Sequence, residues 1–273
     1  MKTKAKKIKA DALPLARRKY LAAKRRDRIK VAILQVSLLV VLIGLWQLCA
    51  SVGIIDDFIT SSPVRIVKTL ASLFTQDLMK HVGITLLECI VGFAVSGLLG
   101  FAIAVGLWAS DTARRVLEPY IVTLNSLPKI ALGPIIIVWM GAGMKSIVTM
   151  TVLICVVVTV INVLAGFTAC DEGKILLMRS MGANKMQIFF KLVLPQSLPS
   201  LISTLKINVG LAWVGTIMGE YLVSSAGLGY LIIYGGQVFK LDLVMTSTVI
   251  LCVLAALMYL AVALIEKRVS SRR

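Results

Sequence analysis

Lys129 is a charged residue in a stretch of sequence that is otherwise apolar. Residues 119–141 contain no other Asp, Glu, Lys or Arg, and Pro128 precedes the lysine near the middle of the stretch. An ionisable residue in a bilayer-spanning segment costs about 2.5–3.5 kcal/mol on insertion scales and commonly marks a solute pathway. Lys129 cannot easily reach either surface, so we expect it to face a water-filled cavity or an acid and to attract an anionic solute. Three polar residues are further candidates for the cavity wall: Asn125, Ser126 and Asn162.

Three other charged residues lie within or at the ends of apolar stretches. Glu220 ends the stretch of residues 199–221, where it contacts an external partner, gates an outer opening, or has a capping or packing role. Lys206 lies nearer the other end of that stretch, and we expect its long side chain to extend to the membrane surface. Glu88 begins another apolar stretch, and we expect it at the membrane–water interface.

No set of residues typical of an active site stands out in the sequence. The chain has one histidine, His81, which we interpret as a surface residue, and its five cysteines lack C-x-x-C spacing. Gly173-Lys174 does not fit a phosphate-binding loop, because Thr168 and Ile175 occupy the places that require Gly and Ser or Thr. We therefore expect neither enzymatic activity nor a bound nucleotide, metal or other cofactor.

The elements that must position these residues are membrane-spanning helices. The chain has 273 residues, 58% of them hydrophobic and 16% charged, with a mean hydropathy of +0.91. About 20 apolar residues cross a bilayer as a helix. Four stretches contain no charged residue at all: 31–55, 89–110, 146–170 and 243–265. Together with 119–141 and 199–221 they predict an all-α integral membrane protein with six spans, although a re-entrant or surface helix is an alternative for these last two.

The placement of basic residues predicts the orientation. Of the 30 Lys and Arg, 13 lie in residues 1–30, and 23 lie in segments on the same side as the termini, against five on the other side. Basic residues collect on the cytoplasmic side of membrane proteins, so we expect both termini in the cytoplasm. The net charge of +17 does not indicate nucleic-acid binding, because no nucleic-acid motif or interleaved aromatic residues accompany it.

The longest predicted cytoplasmic loop, residues 170–198, is where we expect a partner to bind. Two helical runs flank Gly182, a residue that permits a sharp turn, and we expect Pro195 and Pro199 to end the second run before the next span. We predict one apolar face on this loop, formed by Met186, Phe189, Phe190 and Val193. That face docks into a groove of another protein, or the loop packs under its own bundle.

The chain divides by prediction into a basic segment, a first span, a helical core and a tail: residues 1–30, 31–54, 55–266 and 267–273. An amphipathic helix on the outer surface is predicted after Pro63. Small residues at every fourth position allow helices to approach closely in lipid. That stripe consists of Gly92, Ser96, Gly100 and Ala104.

The loop and its surroundings resemble the permeases of binding-protein-dependent ABC transporters. The motif of that family is E-A-A-x-x-x-G-x(9)-I-x-L-P, and here nine residues separate Gly182 from Leu192-Val193-Leu194-Pro195. Leu176-Leu177-Met178 stand where the family has Glu-Ala-Ala, so a polar contact from that glutamate to the ATPase subunit is missing here or supplied by Glu172. The segments LNSLPKIALGPIIIVWMGAGMKS and IMGEYLVSSAGLGYLI are similar to the branch that transports sulfonates, taurine and nitrate.

This resemblance implies the type I ABC importer fold in a bacterial or archaeal inner membrane. Two permease copies form the pathway, two separate ATPase subunits bind ATP and dock on the loop, and an external solute-binding protein delivers the solute. The loop positions that match the motif region are Gly182, Ala183, Met186, Phe189, Phe190, Leu194 and Pro195.

The branch implies a small anion such as an alkanesulfonate, taurine or nitrate as the solute. The same machinery importing a vitamin precursor of the pyrimidine or riboflavin type is the alternative. A secondary transporter that works without ATP is disfavoured, because the sequence has no acid at mid-span and no evident inverted repeat.

Overall fold

The computed structural model of the protein describes residues 15–54, 56, 60–74 and 77–270. Within these residues no strand occurs, so the predicted all-α class is confirmed. The helices are α1 (Leu15–Ser51), α2 (Pro63–Leu73), α3 (Leu78–Ala109), α4 (Asp111–Ser126), α5 (Gly133–Met140), α6 (Met144–Thr168), α7 (Glu172–Ser180), α8 (Lys185–Ile188), α9 (Leu194–Val223), α10 (Leu228–Gln237) and α11 (Leu241–Ser270). A 3₁₀ turn (Lys129–Leu132) precedes α5, and a π turn (Phe189–Val193) precedes α9.

The described residues fall into two compact units, divided after Arg65. The first unit contains α1, a single helix of 37 residues. Its apolar part, Ile29–Ser51, is long enough to cross a bilayer, and the helix begins 16 residues before the predicted start of the span at residue 31. Most of the predicted basic segment therefore continues the first span as helix, while residues 1–14 lie outside the described part, as do residues 271–273 of the predicted tail.

Five helical stretches of the described chain are long and apolar enough to span a membrane: Ile29–Ser51, Leu78–Ala109, Met144–Thr168, Lys185–Val223 and Leu241–Arg268. A sixth span results if α4 and the segment Lys129–Met140 are counted together, and these two are bent by 86°. The prediction of six spans thus agrees with the structure when this bent pair is counted as one span. The third predicted span is a broken one, because residues 127 and 128 interrupt its helix.

The centre of the second unit is the packing of α3 and α9 against α6. A Cβ atom on Gly92 would lie 2.5 Å from Thr151 Cγ2, and one on Gly100 would lie 2.5 Å from Thr159 Cβ. From the other side, a Cβ on Gly215 would lie 2.7 Å from the Cα of Thr151. Side chains larger than hydrogen cannot fit at these crossings, so the predicted stripe of small residues does permit close packing.

Hydroxyl and amide groups bond across the same crossings. The Thr151 and Thr216 hydroxyls are 3.1 Å apart, and the Asn208 amide donates to Thr159 Oγ1 at 2.7 Å. All four side chains are buried. Buried polar groups need partners in their own chain, and these pairs therefore fix the register of α6 against α9.

Helix α9 continues directly from the π turn, and the prediction that Pro195 and Pro199 end a helix is wrong. The span Lys185–Val223 runs without a break, with Pro195 in the first turn of α9 and Pro199 inside it. The π turn closes through the Leu194 N–H, which donates to the Phe189 carbonyl five residues back. A wider turn at this point relieves the contact between a proline ring and the preceding carbonyls.

On the predicted outer side, two short helices cover the ends of the spans. The amphipathic helix expected after Pro63 is α2, whose Ile66 and Leu73 are buried. Leu73 joins an apolar cluster with Leu228 and Leu231 of α10. The connection between α9 and α11 is thus helical and packed onto the bundle.

Candidate functional site

Lys129 begins the 3₁₀ turn at the break between α4 and α5. Leu127 is extended and Pro128 has no amide hydrogen, so the helix ends there. The Lys129 ammonium donates to both the carbonyl and the side-chain oxygen of Asn125, each at 3.3 Å. Within the described residues Lys129 has no acidic partner.

A cavity of about 280 Å³ lies beside the Lys129 turn, bounded by α3, α4 and α6. Its lining residues are Lys129 and nine aliphatic residues: Ile103, Ile121, Leu124, Leu127, Leu132, Leu153, Val156, Val157 and Val160. Ser126 bonds back to the Val122 carbonyl of its own helix at 3.3 Å. Asn162 and Glu220 do not line this cavity. The structure thus places Lys129, Asn125 and the neighbouring Ser126 at the same bend, whereas Asn162 lies on α6 and Glu220 on α9.

The loop of residues 170–198 has the predicted helix–glycine–helix form. The Asp171 side chain accepts the Gly173 N–H at 2.8 Å and begins α7. Gly182 has φ +80° and ends that helix, and the Ala183 N–H donates to the Met178 carbonyl at 3.0 Å. Asn184 and Gln187 then form a reciprocal capping box that starts α8.

Five large apolar side chains of this loop are between 57% and 78% exposed: Leu176, Leu177, Met181, Met186 and Phe190. We call this set the loop tip. The predicted apolar face is wrong in two of its members, because Phe189 and Val193 are buried. The Phe189 ring lies 5.0 Å from Trp108 and 5.3 Å from Phe167, measured between ring centroids.

The opposite side of the loop is attached to its own bundle. The Lys185 ammonium donates to the Ala109 carbonyl at the end of α3 at 2.7 Å and lies 5.9 Å from the Trp108 ring centroid. The Cys170 thiol donates to Gln196 Oε1 at 3.3 Å, and burial raises the pKa of that thiol. One face of the loop thus packs under its own bundle, as one of the two predicted alternatives has it, while the loop tip on the other face is exposed.

Glu220 lies at the other end of the bundle and is only 1% exposed. Its carboxylate accepts the Thr85 hydroxyl at 2.6 Å and the Gly229 N–H at the start of α10. A carboxylate at a helix N-terminus satisfies amide donors that have no partner inside the helix. The capping role predicted for Glu220 is thus present, and a carboxylate so deeply buried is not available to an external partner.

Two residues of α3 complete this arrangement, which we call the outer clasp. Thr85 Oγ1 accepts the Leu228 N–H at 2.8 Å, and His81 Nδ1 accepts the Gly227 N–H at 2.9 Å. The His81 ring stacks on Tyr230 with centroids 6.1 Å apart. His81 is therefore half-buried and bonded, and its interpretation as a surface residue is wrong.

The glycines of the clasp leave room for the acid. A Cβ on Gly227 would lie 2.5 Å from a Glu220 carboxylate oxygen, and one on Gly229 would lie 2.7 Å from the other. Thr85, Gly227 and Gly229 were not among the predicted site residues. The only signal in the sequence was the Gly-Leu-Gly motif that follows Glu220 by seven residues.

The structure shows the surroundings of two further charged residues. Glu88 is buried within the bundle, at 3% exposure. Lys206 of α9 forms an ion pair with Glu266 of α11, and its ammonium lies 5.9 Å from the Tyr259 ring centroid. The charge of Lys206 is therefore paired with an acid on another helix, 60 residues later in the sequence.

Comparison with known proteins identifies the family. Residues 96–271 match the family described as binding-protein-dependent transport system inner membrane component. The chain belongs to this family. A probable ABC transporter permease protein of Haemophilus influenzae is 30% identical over 237 residues, which cover 86% of this chain and 96% of that protein. The taurine transport system permease TauC of Escherichia coli is 23% identical over 87% of this chain and 88% of its own length.

A third relative and two solved structures extend the comparison. The formylaminopyrimidine transport permease ThiX of Halalkalibacterium halodurans is 32% identical over 69% of this chain and 75% of its own. The MetNI methionine ABC transporter in an inward-facing conformation matches with a TM-score of 0.60 at 23% identity, over 70% of this chain and 97% of that chain. A bacterial alginate ABC transporter matches with a TM-score of 0.62 at 13% identity, over 91% and 97%.

The chain is accordingly a multi-pass permease subunit of an ABC importer with the type I fold. Its relatives are transport subunits and not enzymes, as the sequence predicts.

Proposed function

We propose that this permease passes a small anion, delivered by an external binding protein, through a pathway formed by two copies of the chain and driven by two ATPase subunits docked on the loop tip. The loop tip carries the proposal. It presents five large apolar side chains on a loop that its capping box and its bonds to α3 hold in place. A rigid apolar projection fits a groove in another protein. ATP is bound by the ATPase subunits in this scheme.

Co-purification with the ATPase tests the docking step. Met186→Asp places a charge in the loop tip, and Met79→Asp is a matched control because Met79 is 65% exposed and Met186 is 64% exposed. We expect Met186→Asp to lose the ATPase while the purified permease keeps its thermal stability. Equal retention of the ATPase by both variants would contradict docking at the loop tip.

A second copy of the chain is proposed to cover α4 and α5. None of the side chains of α4 is buried, and on α5 Val138 and Trp139 are 82% and 77% exposed. Large apolar areas of this kind mark either lipid or a protein interface. Native mass spectrometry of the detergent-purified transporter decides the copy number. A complex with one permease chain would contradict the proposed pathway.

The anionic solute is proposed from Lys129. Among the described residues its ammonium bonds only to neutral oxygens, both from Asn125, so we expect its charge to attract an anion at the bend between α4 and α5. We expect Lys129→Met to reduce uptake of taurine or an alkanesulfonate by proteoliposomes without changing assembly, while Lys145→Met, in the first turn of α6, leaves uptake unchanged. Uptake unaffected by Lys129→Met would contradict a pathway role.

A vitamin precursor is the second candidate solute, favoured by the 32% identity to ThiX and by 26% identity to the riboflavin permease RibX of Chloroflexus aurantiacus. Uptake of such a compound does not depend on attraction to a lysine. Assaying a formylaminopyrimidine and riboflavin beside taurine in the same proteoliposomes separates the candidates. Uptake of the ring compounds alone, undiminished by Lys129→Met, favours the second.

A further inference from the structure

The cavity beside the Lys129 turn combines one positive charge with an otherwise aliphatic wall. Among the described residues that line it, Lys129 is the only polar one, and the others are Ile, Leu and Val. The ammonium group of a lysine has three N–H donors, and Asn125 accepts at most two of them, at 3.3 Å each. At least one donor is therefore left for a ligand at the end of the cavity where the charge lies.

The cavity extends from an exposed mouth to a buried floor. At the mouth, Ile103, Leu124 and Leu127 are between 45% and 49% exposed, whereas Val160 is only 3% exposed. The volume of about 280 Å³ is nearly twice that of an apolar cavity of roughly 150 Å³ that binds benzene. A chain of about six carbons, as many as benzene has, therefore fits with its charged end at Lys129.

We infer that this cavity binds the aliphatic chain of a linear anion, a carboxylate or a sulfonate, whose charged group lies at the Lys129 ammonium. This inference rests on the proposed pathway role of Lys129, and it narrows the solute to anions with several methylene groups. Each methylene that moves from water into an apolar site tightens binding about fourfold. The affinity of the site therefore increases with chain length until the cavity is full.

The aliphatic wall disfavours the other candidate solutes. Taurine has an ammonium group at the far end of a two-carbon chain, and an unpaired charge among aliphatic side chains is costly. Nitrate has no chain to fill the cavity. Pyrimidine and riboflavin rings carry several polar groups, for which the aliphatic side chains of the wall offer no hydrogen-bond partner. An aliphatic anion uses both the charge and the wall.

Thermal unfolding of the full chain in lipid nanodiscs measures binding without transport, because a ligand of the folded state raises Tm. We expect ethanesulfonate, butanesulfonate and hexanesulfonate to raise Tm, with dissociation constants that fall about 15-fold at each step of two methylenes. Hexylammonium has the longest chain with the opposite charge, and we expect it to leave Tm unchanged. Equal dissociation constants along the series, or an equal response to hexylammonium, would overturn the inference.

A phospholipid acyl chain is the other occupant that an aliphatic cavity could hold. In that case none of the three sulfonates would raise Tm, and this outcome would also overturn the inference. Hexanoate and 6-aminohexanoate provide a matched pair, since they differ only in a terminal ammonium group. We expect hexanoate to bind about tenfold or more tightly than 6-aminohexanoate, and equal binding would show that the chain does not lie against the aliphatic wall.

Two pairs of variants locate the two ends of the ligand. We expect Lys129→Met to abolish the response to all three sulfonates and Lys145→Met, in the first turn of α6, to retain it. Ile103→Trp fills the mouth, so hexanesulfonate should bind no more tightly than ethanesulfonate. Leu99→Trp is the control, because Leu99 is 48% exposed on the same helix and does not line the cavity. A chain-length effect that survives Ile103→Trp would place the chain elsewhere.

Uptake and binding together distinguish failure of this inference from failure of the proposed function. Uptake that falls in Lys129→Met, with no effect of chain length on binding, would overturn the inference alone. Binding that follows chain length, with uptake unaffected by Lys129→Met, would overturn the pathway role alone. The sulfonate series in the unaltered protein requires no variant to fold.

Discussion

The outer clasp and the loop that carries the loop tip each contain a turn at a glycine with positive φ. The two glycines are needed for different reasons. Gly182 has φ +80° and open space where a Cβ would lie. Gly227 has φ +122°, and its Cβ would meet the Glu220 carboxylate. The turn at Gly182 needs a glycine only for its backbone conformation. The turn at Gly227 also needs the space that a Cβ atom would occupy. The polar groups of the clasp form hydrogen bonds within the chain. The apolar side chains of the loop tip are exposed, as is typical of a surface that binds another protein.

The largest expected effect separates the interior of the loop from its tip. Phe189→Ala removes a buried ring that packs on Trp108 and Phe167, and we expect a loss of about 3–5 kcal/mol in stability. Phe190→Ala removes a ring that is 57% exposed, so thermal stability stays close to that of the unaltered protein while ATPase binding weakens. Thermal unfolding in detergent and ATPase co-purification measure the two effects. A similar loss of stability in both variants would contradict the division between interior and tip.

The next effect compares the two glycines. Gly182→Ala introduces only the strain of an L-residue at positive φ, about 1–2 kcal/mol. Gly227→Ala adds a clash with Glu220 and disturbs the bond from its own amide to His81, for a total of about 2–4 kcal/mol. Thermal unfolding of the two purified variants measures the difference. A lower Tm for Gly182→Ala than for Gly227→Ala would contradict the proposed contrast.

Removing one hydroxyl of the clasp has a smaller effect. Thr85→Val keeps the shape of the side chain but removes the donor to Glu220 and the acceptor of the Leu228 N–H, which costs about 1–3 kcal/mol. Thr248→Val is the control, because that exposed hydroxyl bonds only to a carbonyl of its own helix. Hydrogen exchange at residues 227–230 reports on the clasp. Unchanged exchange in Thr85→Val would show that Glu220 alone holds the turn.

The smallest effect concerns an ion pair that is more accessible than the clasp. The side chains of Lys206 and Glu266 are 23% and 36% exposed, and exposed ion pairs contribute little because water and salt screen them. We expect Lys206→Met to shift Tm less than Thr85→Val does, and the exchange Lys206→Glu with Glu266→Lys to restore it. A larger shift than for Thr85→Val would mean that this pair is structurally as important as the buried clasp.

The sequence predicted where the candidate site residues lie better than it predicted which residues they contact. Gly182 with its helical flanks indicated the loop, and the isolated charge of Lys129 indicated the bend. The sequence did not indicate that Phe189 is buried and Phe190 exposed, because a π turn shifts the helix face between them. It also left Glu220 with three possible roles, since its hydroxyl donor, Thr85, is 135 residues away in the chain.

The sequence by itself determined the membrane class, the number of spans at its upper count and the helical form of the loop. These properties follow from hydropathy, charge and turn residues that act over a few neighbouring positions. Only the tertiary structure decided which apolar residues of the loop are exposed and that Thr85 and Glu220 meet. Those outcomes depend on which faces of α3, α6 and α9 pack together. That packing is set by small residues whose contacts lie on other helices.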